Sequence, residues 1–157
     1  MSDATSSTQV VVEESDVAGF HSVLGYRQTD WEDGRSVLTV ELQPHHMNLA
    51  GVIHGGVLSS LLDIAMAQAG TYCPYPGRMR KALTLSLTTT FTGQCRGGVI
   101  TVTGIKRAGG SRVFNATGEV HDAAGQLLAM GEGVFRIRSG SEGLEGVPIP
   151  GTEEAGA

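Results

Sequence analysis

Cysteine is scarce in this chain. Its 157 residues hold only Cys73 and Cys95, which form no CxxC or other zinc-ligand spacing. A reduced, cytoplasmic protein is the simplest reading, and neither thiol has an activating partner in sequence. Surplus positive charge is missing too. Lys and Arg total 11 against 16 Asp and Glu, a net charge of −5. Nucleic-acid-binding domains are usually basic, so no nucleic-acid partner is expected. Long unbroken apolar runs are also lacking. The most apolar helix-compatible stretch contains Asp63 and small polar residues, which excludes a helical membrane span. The opening "MSDATSSTQVVVEESD" has no basic region and no apolar run, so it does not read as a secretory signal. No internal repeat is present.

What remains is enough for one domain with a hydrophobic core: 40% apolar and 17% charged residues. The 23 glycines have no collagen-like period and suit tight turns and special backbone sites. Residues 1–16 are polar and read as a flexible arm. Residues 139–157, "SGSEGLEGVPIPGTEEAGA", are rich in Gly, Pro and Glu and read as a disordered tail. The folded body is then 17–138.

Within it, the start of "FHSVLGYRQTDW" suggests a helical turn and its end a strand. "SVLTVELQ" (36–43) alternates and predicts a strand, with "WEDGR" as the hairpin turn before it. "PHHMNLAGVI" reads as a loop, and 54–71 as a helix ended by "CPYPGRMRK". Alternating segments at 82–91, 99–107, 112–122 and 127–138 predict four more strands, joined as an antiparallel meander. One long apolar helix with one sheet makes an α+β domain.

The helix is unusual. Val57, Leu58, Leu61, Leu62, Ile64 and Ala65 cover most of its circumference, as in a buried helix. A narrow stripe of Gly56, Ser59, Ser60, Asp63, Ala67 and Gly70 is small or polar. At the mouth, His54, Gly55 and Gly56 stand where backbone N–H groups lack partners and the helix dipole is positive. Such donors suit a carbonyl oxygen that gains charge, and a carboxylate would supply a base or nucleophile. Gly55 and Asp63 are eight residues apart, about 12 Å along the axis. Asp63 therefore cannot serve its own helix mouth. It serves the mouth of a second copy, or it is a structural carboxylate.

Taken singly, each residue has a plainer reading. His54 caps a helix, Asn48 makes a turn, and the glycines relieve crowding. His45 and His46 lack an Asp, Glu or Cys at metal-ligand spacing and read as loop residues. Trp31 and Phe91 read as core or rim. Arg78, Arg80, Lys81 and Arg112 read as solvated loop charges, or as clamps if the substrate carries phosphates.

"MNLAGVIHGGVLSSLLDIAMAQAG" resembles the signature of hotdog-fold acyl-CoA thioesterases of the phenylacetic-acid-degradation type: an Asn, then His-Gly-Gly, then an Asp within the central helix. "TLSLTTTF" resembles the next strand of that family, with Thr84 seven positions before Phe91. The resemblance spans about 17–138. It implies a long helix wrapped by a curved antiparallel sheet, dimers and often dimers of dimers, and a site at the dimer interface. It implies that Gly55 polarises the thioester carbonyl. His54 and Asn48 would orient that group or water, and Thr84 would position water or Asp63. Asp63 of the other chain would be nucleophile or base. No metal or cofactor is implied. "TFTGQCRGG" lacks the family's Arg/Ser-Pro step, so its usual tunnel lining does not carry over there. Leu49, Val52, Ile53, Gly56, Met47, Met66 and Tyr72 are expected near the acyl group. The rival expectation is a non-catalytic acyl-CoA-binding module. A hydratase would need a differently placed Asp–His pair, which is not found.

Overall fold

The computed structural model describes residues 19–151, so the arm expected over 1–16 lies outside them. A short helix α1 (Phe20–Leu24) precedes a hairpin of β1 (Arg27–Glu32) and β2 (Arg35–Glu41). A 3-10 turn at Pro44–His46 interrupts the segment expected to be a loop, and α2 (Gly55–Ala69) follows. Then come β3 (Arg78–Met79), β4 (Ala82–Phe91), β5 (Val99–Gly109), β6 (Val113–His121), β7 (Leu127–Ile137) and β8 (Val147–Pro148). Glu32 pairs with Arg35 across the β1–β2 turn, where Gly34 takes φ 89°. Only glycine adopts that conformation without cost.

The main sheet is six-stranded and antiparallel, in the order β1-β2-β5-β6-β7-β4. It curves around α2, the expected hotdog arrangement. The expected four-strand meander holds only for β5-β6-β7. β4 pairs with β7 at the far edge, while β5 joins β2. Short connections suggested neighbouring strands, but residues 92–98 carry the chain back across the helix mouth. Ile53 N–H donates to the Cys95 carbonyl there at 2.8 Å.

The disordered tail expected over 139–157 needs correction as far as residue 151, and 152–157 lie outside the described residues. Over 139–151 the chain is tied down: Ser141 is 1% exposed, and Val147–Pro148 pairs with Arg78–Met79. Composition offered few apolar anchors. The anchors are polar instead, as two arginines donate to tail carbonyls.

Leu58, Leu61, Leu62, Ala65 and Met66 of α2 are buried against the sheet, whereas Val57 and Ile64 are only partly buried. Burying each leucine contributes about 2 kcal/mol. The closeness of this packing comes from a row of glycines. Gly104 pairs with Gly118, and Gly118 with Gly131. A Cβ on Gly104 would lie 2.3 Å from the Ala65 carbonyl oxygen, and one on Gly118 2.9 Å from Leu62. The helix backbone thus rests directly on the sheet. Gly70, read above as part of the small stripe, is buried instead. A Cβ there would meet Phe114 at 2.1 Å.

Gly104→Ala should therefore lower unfolding stability by about 1–3 kcal/mol, as overpacking does. Gly97→Ala, with nothing within 4 Å, should stay within about 0.5 kcal/mol. Urea denaturation of both variants checks this, and equal effects would contradict the close helix–sheet contact.

Candidate active site

The entrance is built from a tight loop and the first turn of α2. The Asn48 side-chain oxygen accepts from the N–H groups of Ala50 (2.9 Å) and Val52 (3.3 Å). Its carbonyl end is thus committed to the loop, leaving the amide N–H2 as the end that can meet a ligand. His54 is the N-cap, in extended conformation, and its Nδ1 accepts from Gly56 N–H at 2.8 Å. In the neutral ring the proton then sits on Nε2. Gly55 is the first helical residue. Among the described residues nothing accepts from its N–H. The Phe91 ring lies over it, 3.2 Å from where a Cβ would stand.

Asp63 is half-buried in the middle of α2. Its Oδ1 accepts from the Thr84 hydroxyl at 2.7 Å, so sheet and helix bring this pair together. The same strand meets the helix again where Ser59 donates to the Thr89 hydroxyl at 3.3 Å. Both Asp63 and Gly55 lie on one regular helix, so the separation of about 12 Å stands. Among the described residues β4 is bonded on one side only, and Leu83, Leu85, Leu87 and Phe91 along it are exposed. An unpaired strand edge carrying leucines is a template for a second chain.

Several expected contacts fall elsewhere. Val52 and Ile53 are buried at 6% and 4% exposure, facing the interior. Apolar character near the mouth did not distinguish core from pocket. Met66 is core as well, Leu49 is fully exposed, and Tyr72 packs edge-on against Trp31. Arg78 donates to the carbonyls of Glu145 and Gly146. Arg80 donates to those of Ser141 and Glu142, and more weakly to those of Gly70 and Tyr72. Both guanidinium groups are committed to tail carbonyls, and Arg80 also ties the tail to the end of α2, which removes them as ready phosphate clamps. The Lys81 backbone N–H joins the same fastening through Ser141 Oγ. Arg112 is exposed at the β5–β6 hairpin.

Other residues gained a place that sequence reasoning missed. Arg96 donates to the Ala50 carbonyl at 3.1 Å, bringing a cation to the entrance loop. His45 Nε2 donates to the Val23 carbonyl (3.0 Å) and His46 Nε2 to that of Leu24 (2.9 Å). The histidine pair therefore pins α1 beside the helix mouth. A cavity of about 390 Å³ lies between α1 and the start of α2, lined in part by Phe20, Val23, Met47, His54 and Gly56. Buried His46 also accepts from Gln43 N–H through Nδ1 at 2.9 Å. Burial lowers its pKa first, and neighbouring His45 lowers it further, against the pull of the α1 carbonyls.

The sequence model of the thioesterase superfamily matches residues 50–129, which includes the helix mouth, Asp63 and Thr84. The "Putative esterase" of Archaeoglobus fulgidus is 26% identical over 117 residues, covering 73% of each chain. Among solved structures, zebra fish thioesterase superfamily member 2 superposes with a TM-score of 0.67 at 22% identity. That match covers 80% of this chain and 91% of the other. A variant of the phenylacetic acid degradation protein PaaI from Thermus thermophilus gives a TM-score of 0.64 at 24% identity, covering 74% and 96%. These two structural likenesses establish the fold.

The histidine geometry sets a pH dependence. With its folded pKa lowered, His46 binds a proton more readily unfolded than folded. Its contribution is complete above about pH 6.5, the unfolded value, and is lost as pH falls below that, until the folded pKa is passed. Urea midpoints at pH 7.5 and 5.5 should therefore differ more in the wild type than in His46→Gln. Equal differences would contradict the buried neutral imidazole.

Proposed function

This chain belongs to the thioesterase superfamily, and on that premise we propose that it hydrolyses an aromatic or short-to-medium-chain acyl-CoA at a site shared by two copies. The observation that carries this reading is Asp63, held by Thr84 at 2.7 Å on a helix whose own mouth is out of reach. Thr84 engages Oδ1, which leaves Oδ2 for water. The β4 edge, unpaired among the described residues, supplies the surface on which a second copy pairs, setting Asp63 of one copy near Gly55 of the other. A dimer of dimers is the next level of assembly, and two free cysteines suit a cytoplasmic setting. No helix among the described residues is long and apolar enough to cross a membrane.

In this mechanism the thioester carbonyl oxygen accepts from Gly55 N–H at the helix mouth, where the dipole favours developing negative charge. Water on Oδ2 attacks the carbonyl carbon and gives its proton to Asp63. The tetrahedral oxyanion collapses, the C–S bond breaks, and the proton passes to the leaving thiolate. Direct attack by the carboxylate would form a mixed anhydride that water then opens; both routes use the same side chain. The Asn48 amide and His54 Nε2–H orient the thioester or water. Arg96, Lys81 and Arg112 are the cations still open to the CoA phosphates.

Release of free CoA from a panel of aromatic and straight-chain acyl-CoAs tests the reading. Asp63→Asn should lower kcat by about 10²-fold or more, and Thr84→Val by about tenfold. Gly55→Pro removes the N–H donor at a position that suits proline, with His54 already extended; Gly55→Ala, which adds the same Cβ against Phe91 but keeps the N–H, is its control. Gly55→Pro should lower kcat by about 10²-fold with the helix intact by circular dichroism. Binding of acyl-CoA by the wild type without release would instead identify a non-catalytic binding module, with Asp63 a structural partner of Thr84.

A further inference from the structure

We propose that α1 is the acyl-recognition element of this site. Phe20 and Val23 roof the cavity beside the helix mouth and select an uncharged, apolar acyl group. The inference rests on the thioesterase reading and adds to it the residues that read the substrate. Three observations carry it. First, the cavity of about 390 Å³ has His54 and Gly56 in its wall. An acyl chain leaving a carbonyl held at Gly55 N–H enters it directly. Second, Phe20 and Val23 are 60% and 58% exposed and both line the cavity. Two bare apolar side chains on a five-residue helix gain stability when something apolar covers them. Third, α1 is fixed in place by His45 and His46, which bond its last two carbonyls.

The lining also defines the ligand chemistry. Leu24, Met47 and Val57 complete the apolar part, and imidazoles with Ser60 make up the polar part. Among the described residues no Asp, Glu, Lys or Arg lines the cavity. His46 has both ring nitrogens engaged and is held neutral by burial. An acyl group ending in a carboxylate would give up hydration there with no Lys or Arg among the described lining residues to pair with, whereas an alkyl or aryl group has no charge to desolvate.

Calorimetric titration with S-hexyl-CoA and S-methyl-CoA, thioethers that cannot be hydrolysed, tests this on the full chain. In the wild type the hexyl compound should bind at least about tenfold tighter. In Phe20→Ala that ratio should fall severalfold, and Phe20→Leu should recover part of it. Val23→Thr gives a second reading if Phe20→Ala does not fold. Equal affinity of the two thioethers for the wild type, or an unchanged ratio in the folded variants, would overturn the inference. The binding ratio reads the pocket even if no acyl-CoA is turned over, so failure of the hydrolase reading is seen separately. If turnover is found, succinyl-CoA should be a far poorer substrate than hexanoyl-CoA; equal kcat/KM would also overturn the inference.

Discussion

The contact on which the rest of the molecule depends is backbone against backbone. At Gly104 the sheet has no side chain, and the Ala65–Met66 peptide of α2 occupies the place where one would be. The row continues through Gly118 and Gly131, so the helix lies low in the curve of the sheet. Leu62 and Met66 then fill the space over Gly118 and Gly131. Asp63 follows Leu62 by one position, about 100° around the helix, and turns from the sheet centre toward β4. Its bond to Thr84 follows from how low the helix sits.

The same placement decides which polar groups remain available. His54 Nδ1 is satisfied by Gly56, the Asn48 carbonyl by Ala50 and Val52, and Arg78 and Arg80 by tail carbonyls. Each fixes local structure and is removed from ligand chemistry. Gly55 N–H is without an acceptor among the described residues, and Asp63 keeps one carboxylate oxygen unengaged. On the proposed reading, a donor at a helix mouth and a carboxylate about 12 Å away become one site when two copies meet.

Much of this was legible in the sequence, for identifiable reasons. The extent of β4 follows from the alternation that opens "ALTLSLTTTF" and its run of β-branched threonines, and the helix start follows from the His-Gly-Gly entrance. The resemblance implied that Thr84 positions water or Asp63, and in the structure its hydroxyl donates to Asp63 Oδ1 at 2.7 Å. The position of β4 was not legible. A short connection predicts a neighbour, and nothing local reveals that residues 92–98 return across the helix mouth. The tail was misread because disorder was judged from apolar content, whereas arginine-to-carbonyl bonds hold it. Val52 and Ile53 were misplaced because burial in the core and burial by ligand leave the same mark in a sequence. The histidine pair read as loop residues, and its bonds to α1 were not legible because they depend on a contact 22 residues away.

The central claim, a site completed by two copies, has a direct measurement. Asp63→Asn and Gly55→Pro, each inactive alone, are unfolded together, refolded as a mixture and assayed for CoA release. If Asp63 serves the helix mouth of the other copy, each mixed dimer regains one intact site, and about a quarter of wild-type activity returns on random pairing. If the two residues act within one chain, every site in every dimer carries a lesion. Activity at the level of the separate variants, with mixed dimers confirmed by mass spectrometry, would contradict the account.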